Sequence, residues 1–178
     1  AFDRGRSGLT AVKLHGALVN DGRTGEAEVR LKEWIRSQPA DLTTQLYLGE
    51  FYLKAGRHGE AIAAYERIVA AHPENVVALN NLAWCYQQVR DKRAVPTAEK
   101  ALHLKPGNPA VMDTLGWILV EQGEVSRGTS LLQKASELAP KAPDIRFHYS
   151  LGLTRLGENA KAIRELERLL VDYPMFSI

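Results

Sequence analysis

The chain has 178 residues, of which 45% are hydrophobic and 25% charged, with a formal net charge of +2. That balance belongs to a folded globular chain and excludes a broad basic field for nucleic acid. No apolar run reaches the ~18 to 20 residues of a membrane-spanning helix, and a single cysteine, Cys85, excludes a disulfide framework or a multi-cysteine metal site.

The chain opens on Ala1 with no signal-peptide pattern. This predicts a piece of a longer chain, with targeting information elsewhere and residues 1–7 the tail of a preceding helix. From Gly8 onward the sequence repeats. Pro39, Pro73, Pro106, Pro140 and Pro174 are separated by 34, 33, 34 and 34 residues. Gly22 and Gly56 are 34 apart, as are Gly123 and Gly157. A period of this length marks a repeat architecture, and the units read as 8–41, 42–75, 76–108, 109–142 and 143–176.

Each unit predicts two helices. In the second, Leu48, Phe51, Tyr52 and Ala55 form one apolar stripe at helical spacing, and Gly56 follows as a stop. Ala61, Ile62, Tyr65, Ile68 and Val69 form the next stripe, ended by Pro73. Asp41, Asn75 and Asn108 are predicted N-caps, with Pro109 at a first helical position. Ala142 breaks that pattern, and Asp144 is the expected substitute. The third unit is one residue short and lacks the turn glycine. A proline in a helix interior costs ~3 kcal/mol or more, but in the first turn it is tolerated. Pro96 therefore predicts a late start for this unit's second helix, near Arg93 to Pro96, after a tight turn over Val89 to Lys92.

These residues resemble the tetratricopeptide repeat. Leu48, Gly49, Tyr52, Ala61, Tyr65 and Pro73 of the second unit fall on the family pattern, as do Leu79, Leu82, Ala83, Tyr86, Ala94, Ala101 and Pro106 of the third. The fourth matches at Met112, Leu115, Gly116, Leu132, Ala135 and Pro140, with Gly128 in place of the usual alanine. The fifth matches at Leu153, Ala162, Leu166 and Pro174, with Ser150 at the small position. The first unit matches at Leu14, Leu18, Ala27, Leu31 and Pro39, but His15 stands where a small residue belongs and predicts looser packing. The resemblance implies an all-α fold, a right-handed α-solenoid of five helix-turn-helix repeats. Stability then comes largely from contacts between neighbouring repeats. Leu166, Leu169 and Leu170 at the C-terminal end are expected to lack full cover, which predicts further repeats or end-to-end self-association.

No enzyme constellation or cofactor motif is present. The five histidines form no HExxH pair, and no GxxxxGK[ST] loop or GxSxG elbow occurs. GRTGEA and GRHGEA recur at the repeat period and read as turns rather than phosphate loops. Cys85 reads as a small packed residue, since free cysteine is commonly buried.

In the family, the first helix of each pair lines a concave groove. The register assigns to that face Tyr47 and Glu50, then Asn80, Asn81, Trp84 and Gln87, then Asp113, Thr114, Trp117 and Glu121, and His148. Aromatic residues edged by amides suit an extended protein or peptide partner, because tryptophan is enriched at binding hot spots and amides pair with backbone groups. Trp84 and Trp117 occupy one register position in adjacent repeats. They face a ligand or pack between repeats, and the sequence leaves both readings open. The two-carboxylate clamp by which some family members hold a chain terminus would need residues at Leu46, Glu50, Asn81, Ala110 and Thr114, where only Asn81 matches.

The runs ALNNLAWCYQQ and TAEKALHLKPGNPAVMDTLGWILVEQGEVSRG resemble the C-terminal repeats of lipoproteins that accompany the bacterial PEP-CTERM/exosortase sorting system, found with exopolysaccharide genes. That resemblance implies a cell-envelope location and a lipid anchor on an upstream segment. Three functional readings follow: a protein-binding scaffold in envelope sorting or exopolysaccharide assembly, a glycan-contacting module using Trp84 and Trp117, or a non-catalytic arm of a larger enzyme.

Overall fold

The computed structural model describes residues 7–175. The expected helical tail before Ser7 and the last residue of the fifth unit, 176, lie outside them. The described residues form ten helices and no strand: α1 (Gly8–Asn20), α2 (Thr24–Ser37), α3 (Leu42–Lys54), α4 (His58–Ala71), α5 (Val76–Gln88), α6 (Ala94–Leu104), α7 (Pro109–Glu121), α8 (Val125–Leu138), α9 (Pro143–Arg155) and α10 (Asn159–Asp172). They form two compact units, the first ending at Pro73 and the second starting at Glu74.

Local chemistry sets the helix ends. The side chains of Asp41, Asn75 and Asn108 accept backbone N–H bonds from Thr44, Ala78, and Ala110 with Val111, satisfying donors that a helix start leaves open. Asp144 does not replace the missing cap of α9. Ala142 holds the N-cap position, and Asp144 lies inside the first turn without a capping bond. Its charge there only complements the helix dipole.

Four of the five hairpin turns close on a glycine with positive φ: Gly22 at 77°, Gly56 at 68°, Gly123 at 92° and Gly157 at 79°. In the third pair Arg90 takes this left-handed conformation, at φ 55°. The closing bond from Asp91 N–H to the Tyr86 carbonyl, 2.8 Å, matches the Arg57 to Tyr52 bond of the second pair, 2.9 Å. The shortened segment thus keeps the turn geometry at the strain of a side chain in a region that favours glycine. As the spacing predicts, α6 begins late, at Ala94 behind Arg93, and Pro96 is its third residue. Its missing N–H is among those that need no intrahelical partner.

In the first unit α1 packs on α2 and α3, and α3 on α4. Leu18, Ala27, Leu31, Leu48, Tyr52, Ala61, Tyr65 and Ile68 make the core. Gly49 lets the Tyr65 ring approach to where a Cβ would lie 2.7 Å away. The looser packing expected at His15 is not found at its ring. His15 is 1% exposed and meets Tyr47 and Phe51 edge-on, at 5.3 and 4.6 Å between centroids. Larger neighbours here make a slot that a small residue would leave empty. A cleft of about 490 Å³ lies beside it, lined by Leu14, Leu31 and Trp34 among others.

In the second unit α7 packs on α5, α6, α8 and α9. The α7–α8 approach is close because both backbones lack a Cβ at the crossing. A Cβ on Gly128 would lie 2.5 Å from the Gly116 carbonyl oxygen and 2.8 Å from the Val120 nitrogen. Glycine at the register position usually held by alanine therefore goes with an α7–α8 approach too close for a Cβ at residue 128. Cys85 is fully buried, and burial pushes its thiol up to about 12, which leaves no reactive thiolate at neutral pH. On α10 the expected lack of cover holds for Leu170, 64% exposed, but not for Leu169, 3% exposed. Adjacent residues on a helix point about 100° apart, so Leu169 turns into the α9–α10 contact and Leu170 away from it.

Candidate partner-binding site

In the second unit, α7 lies against both α5 and α9. Helical spacing aligns Asp113, Trp117 and Glu121 along one face of α7, and Asn80, Trp84 and Gln87 along one face of α5. Charge is sparse on these helices. None occurs in α5, and α7 carries only Asp113 and Glu121.

His148 of α9 joins the three helices. Its imidazole stacks on Trp117, with centroids 5.0 Å apart and planes 16° from parallel. The Trp84 ring lies 6.3 Å away at 32°, and Phe147 6.3 Å away at 49°. The Nδ1–H of His148 donates to both carboxylate oxygens of Asp113, at 2.9 and 3.0 Å. The side chains of His148 and Asp113 are 20% and 13% exposed, so the pair is partly desolvated but open to solvent. Beside it the Gln122 amide donates to the Gln87 carbonyl at 3.0 Å, and Arg155 Nη2 lies 3.3 Å from Glu121 Oε1.

The structure thus gathers Trp84, Trp117, Asp113 and His148 in one cluster, with Gln87 bonded to Gln122 and Glu121 to Arg155 one turn further along α5 and α7. Asn80 is half-buried, its Oδ1 enclosed without a hydrogen-bond partner, and Asn81 is half-buried. Thr114 corrects the sequence reading: it is buried, 7% exposed, although it shares its register position with Asn81 and His148; its short side chain does not reach past its larger neighbours to the open face. Tyr47 and Glu50 belong to the first unit. The Tyr47 hydroxyl lies 3.0 Å from His15 Nδ1, and burial raises its pKa. Glu50 is exposed and pairs with Lys54 at 2.7 Å.

Sequence reasoning missed the His148–Asp113 bond and the part played by Gln122. A signal was available: both pairs, 148 with 113 and 122 with 87, are 35 residues apart, close to one repeat period. Among the described residues no group of three metal-ligating side chains occurs, and no helix is long and apolar enough to cross a membrane.

Models of the family described as tetratricopeptide repeat match residues 17–76, 52–109 and 85–173. The chain belongs to the tetratricopeptide-repeat family, whose members generally mediate protein–protein interaction. A curated relative, the TPR repeat-containing protein PA4667 of Pseudomonas aeruginosa, is 26% identical over 126 residues, which is 70% of this chain. The match spans 21% of that relative's length. Among solved structures, TTC0263, a thermophilic TPR protein of Thermus thermophilus, is similar with a TM-score of 0.77 at 19% identity, covering 95% of this chain and 93% of that one. MamA 41-end from Desulfovibrio magneticus RS-1 has a TM-score of 0.74 at 18% identity, with 97% and 99% covered. At such identities the likeness is one of fold.

Proposed function

We propose that the chain is a non-catalytic scaffold whose second unit holds an extended segment of another protein along α5, α7 and α9. The observation that carries this reading is the half-open cluster of Trp84, Trp117, His148 and Asp113, edged by the amides of Gln87 and Gln122. Large rings supply contact area at low conformational cost, and amides pair with the backbone of a bound segment. α5 carries no charge and α7 only Asp113 and Glu121, so desolvating their face costs less than desolvating a charged one.

We place the scaffold in bacterial envelope protein sorting or exopolysaccharide assembly, lipid-anchored through an upstream segment. The runs that resemble repeats of the PEP-CTERM/exosortase lipoproteins support this. Fractionation of cells carrying the full-length protein should then recover it with membranes; recovery wholly in the soluble fraction contradicts the placement.

The groove itself is tested by affinity capture with the wild-type chain and a Trp84→Ala, Trp117→Ala double variant of unchanged helicity. A protein partner retained by the first and lost by the second supports the reading. Capture indifferent to both indoles moves the partner site elsewhere. Polysaccharide retained in the same indole-dependent way, with no protein partner, replaces it by a glycan-contacting module.

A further inference from the structure

We infer, resting on that reading, that the partner segment presents an arginine, and that His148 is an internal stand-in for its guanidinium. The site defines its ligand by what already fills it. His148 offers a flat cationic or neutral π system, stacked on Trp117 at 16° and 5.0 Å, with an N–H aimed at both oxygens of Asp113. A guanidinium has the same features in stronger form. It is planar, stacks on aromatic faces, is always charged, and carries paired donors that match a carboxylate bidentately.

Charge complementarity points the same way. Glu121 is engaged by Arg155, and α5 carries no charge. Asp113 is therefore the carboxylate in the cluster that meets an imidazole rather than a permanent cation. The ring of Trp84, 6.3 Å from the same imidazole and tilted by 32°, adds a second aromatic ring beside an inserted guanidinium. Lysine has neither the flat face nor the paired donors, and citrulline keeps the shape without the charge. Entry requires His148 to turn away from Asp113. The partly open setting of its side chain, 20% exposed, allows this without opening the core.

The experiment uses the full chain and the peptide Ac-Gly-Gly-Arg-Gly-Gly-NH2, followed by tryptophan fluorescence and calorimetry at low salt. Matched lysine and citrulline peptides serve as comparisons. The arginine peptide should bind saturably and at least about tenfold tighter than citrulline. Asp113→Asn should remove that preference. His148→Ala should tighten binding several-fold, because it removes the internal competitor; a merely structural histidine would loosen binding when lost. Equal binding of arginine and citrulline, weaker binding by His148→Ala with the fold intact, or no saturable binding below about 10 mM overturns the inference. If captured partners still depend on the two indoles while the arginine peptide does not bind, the inference fails and the groove reading stands. If indole dependence is also absent, both fail.

Discussion

His15 in the first unit and His148 in the second each meet aromatic rings of another repeat's first helix, but by different faces and at different depths. His15 is 1% exposed. It touches Tyr47 and Phe51 edge-on and shares a hydrogen bond with a phenol, while its Nε2 is buried without a partner. His148 lies flat on an indole, is held by a carboxylate, and keeps one fifth of its side chain in solvent. The first arrangement resists exchange, because removing the ring empties a buried slot between Tyr47 and Phe51. The second is made of interactions that an incoming group can reproduce. Burial and the charge of the partner separate a packed histidine from a replaceable one, although the sequence presents both as isolated histidines on amphipathic helices.

The sharpest way to break this contrast is to delete each ring. His15→Ala should cost the first unit about 3 kcal/mol, the range for emptying a buried ring site. His148→Ala should cost the second less than about 1 kcal/mol, as for a partly exposed contact. Denaturant unfolding followed by circular dichroism measures both, and equal losses would erase the distinction. Gly128→Ala comes next. A Cβ there meets backbone atoms of α7 that cannot rotate away, so it should destabilise the second unit by about 2 kcal/mol. The alanines at the same register position elsewhere, Ala27, Ala61, Ala94 and Ala162, are accommodated without strain and buried at 0 to 3% exposure. Unchanged stability would contradict the close approach of α7 and α8 beneath the cluster.

A smaller effect comes from pH. Burial lowers the pKa of His15, with Glu28 acting in the opposite sense. The folded first unit therefore binds fewer protons than its unfolded chain. Its stability is complete above the ordinary imidazole value of ~6.5 and is lost progressively as pH falls through and below it. Melting temperature should drop between pH 7.5 and 5.5, and His15→Phe, which keeps the ring and loses the proton site, should flatten that drop. An unchanged slope in the variant would remove His15 as the cause.

Much of the fold was legible because each local signal is chemically self-sufficient. Asp41, Asn75 and Asn108 cap because a short acceptor before an apolar stripe has donors waiting in the next turn. The late start at Ala94 followed from the missing N–H of Pro96 alone. What escaped depends either on the exact local backbone or on partners far along the chain. Asp144 could not be rejected as a cap without knowing that Ala142 holds the boundary. Arg90 gave no sign of a left-handed backbone, since the short turn imposes that conformation rather than its side chain. His15 looked misplaced until Tyr47 and Phe51 closed around it. At the site, the register put Trp84, Trp117, Asp113 and His148 on one kind of surface, but it could not separate Thr114, which is buried. Nor could it show both indoles close to one histidine, itself bonded to Asp113 35 residues before it.

The central claim, that the partner lies on the indole face of the second unit, is tested most directly by the three indole N–H signals in a 1H–15N spectrum of the labelled chain. Trp34 supplies an internal control in the first unit, its Nε1 donating to Asp41 at 2.8 Å. On addition of the captured partner, the Trp84 and Trp117 signals should shift or broaden while that of Trp34 stays in place. A spectrum in which Trp34 moves and the other two do not would contradict the account.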